Sequence, residues 1–108
     1  MKPAVSRRAV RQMLDIFLYI ARDDPQAAER VRDRIYDVIA FVARYPRAGH
    51  ATMIPGLRVM PVGTYPYVVL FRWDEKRRRV RIVRVLHGAR RRPALREDQP
   101  EFRLAAMS

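Results

Sequence analysis

Hydrophobic positions recur at two different periods along the chain, helical in the first half and strand-like in the second. Over residues 7–22, Val10, Met13, Leu14, Phe17 and Ala21 fall at i, i+3, i+4, i+7 and i+11, which is one face of a helix. Arg7, Arg8, Arg11, Asp15 and Arg22 lie mostly off that face, and Ser6 is placed to cap its start. Asp24-Pro25 restarts a helix: Asp suits the N-cap, and Pro suits the first helical position, where a missing N–H costs nothing. Ala28, Val31, Ile35, Val38 and Val42 form the stripe of this second helix. It ends at Tyr45-Pro46, because the residue before proline avoids the α region. Two amphipathic helices joined at Asp23-Asp24 read as an antiparallel helical hairpin.

Residues 46–57 read as a loop, punctuated by Pro46, Gly49, Pro55 and Gly56. Leu57 to Val62 is the next strand, and Pro61 confines it to an edge or a bulge. Gly63-Thr64 turns the chain. Tyr67 to Trp73 is a continuous β-branched and aromatic run, which predicts a strand buried on both faces. Asp74-Glu75-Lys76 makes a short turn into a last strand, Val80 to Leu86. Residues 2–5 predict a short strand before the first helix. Strands joined by tight turns pair antiparallel, and the two helical stripes need a sheet face to cover. The pattern therefore predicts one α+β domain over residues 1–93: a helical hairpin packed on a small twisted antiparallel sheet, in the order (β)-α-α-β-β-β. Residues 94–108 are mixed in character and predict a C-terminal tail, a short helix or a disordered segment.

A chain of 108 residues can bury a core without covalent staples. It has no cysteine, so a disulfide framework and thiolate chemistry are excluded. Its only histidines are His50 and His87, which argues against a histidine-built metal site, and no cofactor motif is present. The longest apolar run, Met13 to Ala21, is interrupted by Asp15 and cannot span a bilayer. The basic, then apolar N-terminus is followed by Arg22-Asp23-Asp24 rather than small residues, so it reads as the start of a cytoplasmic protein and not as an export signal.

Charge changes the picture most. Lys+Arg total 23 against 11 Asp+Glu, a net of +12, and only Lys2 and Lys76 are lysines. Such a field favours anionic partners. The positive excess is greatest in the C-terminal half and ends in Arg90-Arg91-Arg92-Pro93. No glycine-rich phosphate loop, Ser/His/Asp set or paired carboxylates accompany it. The residues left to carry chemistry are basic and aromatic: Arg58, Tyr65, Tyr67, Arg72, Arg84, His87, Arg90, Arg91 and Arg92. Parity along the strand puts Arg81 with Val83, Val85 and His87, and Arg84 with Ile82 and Leu86, so the two arginines cannot face the same side. One of the two arginines must then stand in apolar company. Arginines of this kind could stabilise a phosphorane, with His87 or a tyrosine as the general acid or base of metal-free RNA cleavage.

Three segments together carry a family resemblance: the helix–Asp24-Pro25–helix joint, the Tyr65-Pro66-Tyr67 entry to the central strand, and Val85-Leu86-His87-Gly88-Ala89-Arg90. Over about residues 5–92 the chain resembles the RelE/ParE toxin superfamily of bacterial type II toxin–antitoxin systems. The resemblance implies the fold deduced above and one of two activities. RelE-like members cut messenger RNA on the ribosome with a basic cluster from the sheet; ParE-like members poison DNA gyrase and lack that cluster. The YPY and VLHGAR versions look more ParE-like. Pro66 stands where a RelE-like chain usually has an arginine, Met60 where it has a second cation, and no tyrosine follows Arg92. The expected function is thus a ParE-like toxin that inhibits gyrase without catalysis, docks through Arg84, His87, Arg90, Arg91 and Arg92, and is neutralised by a cognate antitoxin. Operator DNA would be read by the antitoxin. The alternative is a ribosome-dependent endoribonuclease using Arg58, Arg84, His87 and Arg90, and a further one is a non-toxic basic binding module of the same fold.

Overall fold

Ser6 starts the first helix in an extended conformation, and its Oγ accepts from the Ala9 N–H at 3.0 Å. The computed structural model describes residues 2–88, in which this helix, α1, spans Arg7–Ala21 and follows a two-residue strand, β1, Ala4–Val5. Asp24 caps the second helix, α2 (Pro25–Arg44), by accepting from the Ala27 N–H at 3.1 Å, with Pro25 in the first turn as expected. Four strands follow: β2 (His50–Ala51), β3 (Leu57–Pro61), β4 (Tyr67–Asp74) and β5 (Arg79–His87).

The sheet has the order β1-β5-β4-β3-β2. Strands β3, β4 and β5 form the expected antiparallel meander. Two short edges extend it. β1 runs parallel to β5, pairing Ala4 with Arg81 and Val5 with Ile82. β2, inside the stretch expected to be wholly loop, pairs antiparallel with β3. The helices cover one face, where Val31, Ile35, Val38 and Val42 meet Val69, Phe71, Val80, Ile82 and Val85. All five predicted stripe residues of α2 are buried.

The stripe of α1 is a correction. Val10 and Leu14, expected in the core, are 55% and 54% exposed; Met13 of the expected stripe does pack on the core, joined by Ala9, Ile16 and Ile20 from the adjoining face. This helix carries apolar residues on two adjoining faces, and periodicity alone does not say which one the sheet takes. Ser6 and Gln12 settle it by tethering α1 to β5: Ser6 Oγ donates to the Val83 carbonyl at 2.7 Å, and the Val85 N–H donates to Gln12 Oε1 at 2.8 Å.

Those two bonds serve an irregularity. Leu70 pairs with Arg84 and Phe71 with Ile82, so Val83 is an extra residue, a β-bulge in β5. A bulge leaves backbone groups outside the ladder, and α1 supplies their partners. It also overturns the parity argument. Arg81 pairs with Arg72 and Arg84 with Leu70, two positions apart on β4, so Arg81 and Arg84 share one face rather than opposing ones.

Candidate functional site

The helix-free face of the sheet combines apolar and basic residues. Leu57, Val59, Val68, Leu70, Val83 and Leu86 form a second buried cluster there, joined by Ile54 from the preceding loop. Thr52 folds that loop over the sheet: its Oγ1 donates to the Leu57 carbonyl at 2.9 Å and accepts from the Ile54 N–H at 3.1 Å. By register, Arg72, Arg81 and Arg84 stand on the same face. Arg84 is the only charged side chain buried among the described residues, at 8% exposure. Taking a guanidinium out of water is costly unless it is paired and hydrogen-bonded.

Other candidate residues are not gathered around Arg84. Arg58 pairs with Phe71 and so belongs to the opposite, helix-covered face. Its Nε donates to the Ala48 carbonyl at 2.9 Å and its Nη2 to those of Arg47 and Gly49 at 2.8 and 3.2 Å. It ties the α2–β2 connection to the sheet. His87 pairs with Tyr67, which packs in the helix-side core, so His87 and Arg84 lie on opposite faces of β5. The His87 ring is exposed and meets the Tyr67 ring edge-on, centroids 5.6 Å apart. Burial pushes the Tyr67 phenol above its ordinary pKa, and the neighbouring Tyr19 phenol adds to the shift. Arg90, Arg91, Arg92 and the tail 94–108 lie outside the described residues.

Sequence reasoning missed the joining of Arg81 and Arg72 to Arg84, because one inserted residue reverses parity and the Val-rich run 80–86 shows no mark of it. It also missed an open surface on the helices. Val10, Met13, Leu14 and Phe17 of α1 line an apolar groove of about 520 Å³ with Val5, Tyr36 and Ile39, and Arg32 stands over the Phe17 ring at 5.4 Å. Among the described residues no group of His, Asp or Glu could hold a metal ion, and no helix is long and apolar enough to cross a membrane.

The two-helix hairpin over a five-stranded sheet matches the fold of a ParE-type toxin. A chain of a solved structure described as "Chromosomal ParDE TA system from P. aeruginosa" superposes with a TM-score of 0.69 at 20% identity, covering 81% of this chain and 95% of that one. The family model for the ParE toxin of type II toxin–antitoxin systems (parDE) matches residues 4–92. A curated protein, "Putative toxin Y4kP" of Sinorhizobium fredii (strain NBRC 101917 / NGR234), is 35% identical over 86 residues, 80% of this chain and 86% of that protein. The chain belongs to the ParE toxin family of type II toxin–antitoxin systems.

Proposed function

We propose that this toxin acts by binding DNA gyrase rather than by cutting RNA. The observation that carries the reading is the scatter of the candidate ribonuclease residues. Arg58 is spent on three backbone carbonyls, and His87 and Arg84 stand on opposite faces of one strand. General acid–base catalysis needs its proton donor and its charge-stabilising cations within reach of one phosphate. A docking surface has no such requirement. Arg84, His87 and the arginines Arg90, Arg91 and Arg92 would then act as contacts at the basic end of the sheet, in the cytoplasm.

A cognate antitoxin is the expected second partner. The groove lined by Val10, Leu14 and Phe17 suits the apolar side of a partner helix, and Arg32 at its rim, on a chain of net charge +12, favours an acidic one. The test is His87→Ala expressed without antitoxin. A contact at the rim of an interface contributes little, so growth arrest should persist nearly unchanged. Were His87 a proton-transfer group, the same change would reduce cleavage about 10²–10⁴-fold. Loss of toxicity in the variant, with truncated messages made by the parent chain and not by the variant, would replace the gyrase reading with the ribosomal one.

A further inference from the structure

The turn between β4 and β5 gathers charge of one sign. Lys76, Arg77, Arg78 and Arg79 follow one another there, and the first three are exposed. Lys2 comes to the same end of the sheet, because β1 runs parallel to β5 with Ala4 beside Arg81. The two helices and their joint, residues 6–45, carry instead eight arginines interspersed with six carboxylates. The two acids of the turn are committed inside it. Asp74 accepts from the Arg77 N–H at 3.1 Å and faces its guanidinium at 3.5 Å, and Glu75 accepts from the Trp73 indole at 2.7 Å. Arg78 adds an independent observation. Its φ is +50°, and it is the one non-glycine residue with a left-handed backbone among the described residues. Glycine or asparagine would take that conformation with less strain. The Arg78 side chain makes no ion pair or hydrogen bond among the described residues that would offset it. The turn therefore keeps a cation where its own geometry favours a smaller residue, and strain of this kind points to a function.

We infer that this hairpin tip binds the phosphate backbone of double-stranded DNA, without regard to base sequence. A duplex carries one negative charge per about 1.7 Å of its axis, and clustered cations gain affinity by releasing its counterions. The shape of the element selects among polyanions. A two-stranded ribbon fits the major groove of B-DNA, about 12 Å wide, whereas the deep, narrow major groove of A-form RNA does not admit one. Single strands are held by bases stacked on several aromatic faces, and this turn offers one aromatic, Trp73, whose indole is tied to Glu75. The inference concerns the chain and DNA alone and stands or falls apart from the gyrase reading. Its consequence for any DNA-bound target is that the toxin touches the DNA as well as the protein.

A chain of net charge +12 attracts DNA everywhere, so the test compares two variants of equal charge. One replaces the tip: Lys76→Gln, Arg77→Gln and Arg78→Gly together. The other replaces three exposed helix-side arginines: Arg22→Gln, Arg30→Gln and Arg34→Gln together, of which Arg34 stands against Gly63 at the far end of β4. Binding of the full-length chains to a short labelled duplex of mixed sequence is read by fluorescence anisotropy over about 50–200 mM salt. The tip variant should bind at least about tenfold more weakly than the parent, and its slope of log K against log salt should be shallower by about 2–3, close to one per lost phosphate contact. The helix variant should lose less than about threefold, with its slope unchanged. Equal losses in the two variants would overturn the site and leave only the general field. Arg78→Gly alone should weaken binding about two- to fivefold while raising the Tm, a pair of opposite changes that misfolding does not produce. Unchanged affinity in Arg78→Gly would refute the account of the strained turn. A parent chain that binds single-stranded DNA or duplex RNA of the same length as tightly as duplex DNA would overturn the choice of ligand.

Discussion

Val69→Asp tests the placement of β4 at the centre of the fold. Val69 is fully buried in the helix-side core, paired with Val85 on one side and Met60 on the other. An aspartate there at pH 7 must either ionise in an apolar core or stay protonated. Holding it neutral means lifting its pKa from about 3.9 past 7, roughly 4 kcal/mol at ~1.36 kcal/mol per unit. An unsatisfied carboxyl adds about 1–3 kcal/mol, and the lost valine burial about 1.5–3 kcal/mol. The total, about 7–10 kcal/mol, is comparable to the whole stability of a typical domain, about 5–15 kcal/mol. Val69→Asp should be unfolded at neutral pH by circular dichroism and denaturant titration. Val69→Ala should still unfold cooperatively, weakened by about 2–3 kcal/mol, the cost of a small cavity. Trp73→Asp, on the same strand but 40% exposed, should fold. Since the buried carboxyl binds its proton more tightly in the folded state, any residual fold of Val69→Asp should strengthen as pH falls from 7 towards 4. A soluble Val69→Asp protein with native thermal stability would refute the core described here.

Three further outcomes follow from particular contacts. Arg58→Ala removes three bonds to the carbonyls of Arg47, Ala48 and Gly49 and should lower stability by about 2–3 kcal/mol in denaturant titration, while a folded Arg58→Ala protein keeps its toxicity. Gly49→Ala should destabilise more than an ordinary loop substitution, because Gly49 has φ +74° and a Cβ there would run into the Val59 carbonyl; a Tm equal to that of the parent would refute the close approach. Tyr67 is protonated more tightly in the folded state than in the unfolded chain, so its contribution is complete below the unfolded pKa and lost as pH rises through the folded one. Stability should therefore fall above about pH 10 and fall less in Tyr67→Phe.

The elements themselves were legible in the residues. Asp24-Pro25, the Tyr67–Phe71 part of the central run and the Asp74 turn each follow a local conformational preference that the fold keeps, whereas Trp73, expected to be buried, is exposed at the strand's end. The Asp74 turn shows it in detail: the Arg77 N–H donates to the Asp74 carboxylate at 3.1 Å and, as the main cause, holds its pKa below the ordinary value. What the sequence concealed depends on long-range contacts. The α1 face is chosen by Ser6 and Gln12 reaching β5, more than seventy residues away. The bulge at Val83 rests on the same contacts, and with it the gathering of Arg72, Arg81 and Arg84 on one face. Arg58 looked like a site residue because its role depends on carbonyls that only the folded loop brings near it.

The most direct test of the toxin account is expression of the chain in a gyrase-containing bacterial host that lacks the antitoxin, with DNA and messenger RNA examined from the same culture. The account predicts growth arrest with stabilised gyrase–DNA cleavage complexes, double-strand breaks and an SOS response, while messages stay full length. Truncated messages and immediate translation arrest, with intact DNA, would contradict it.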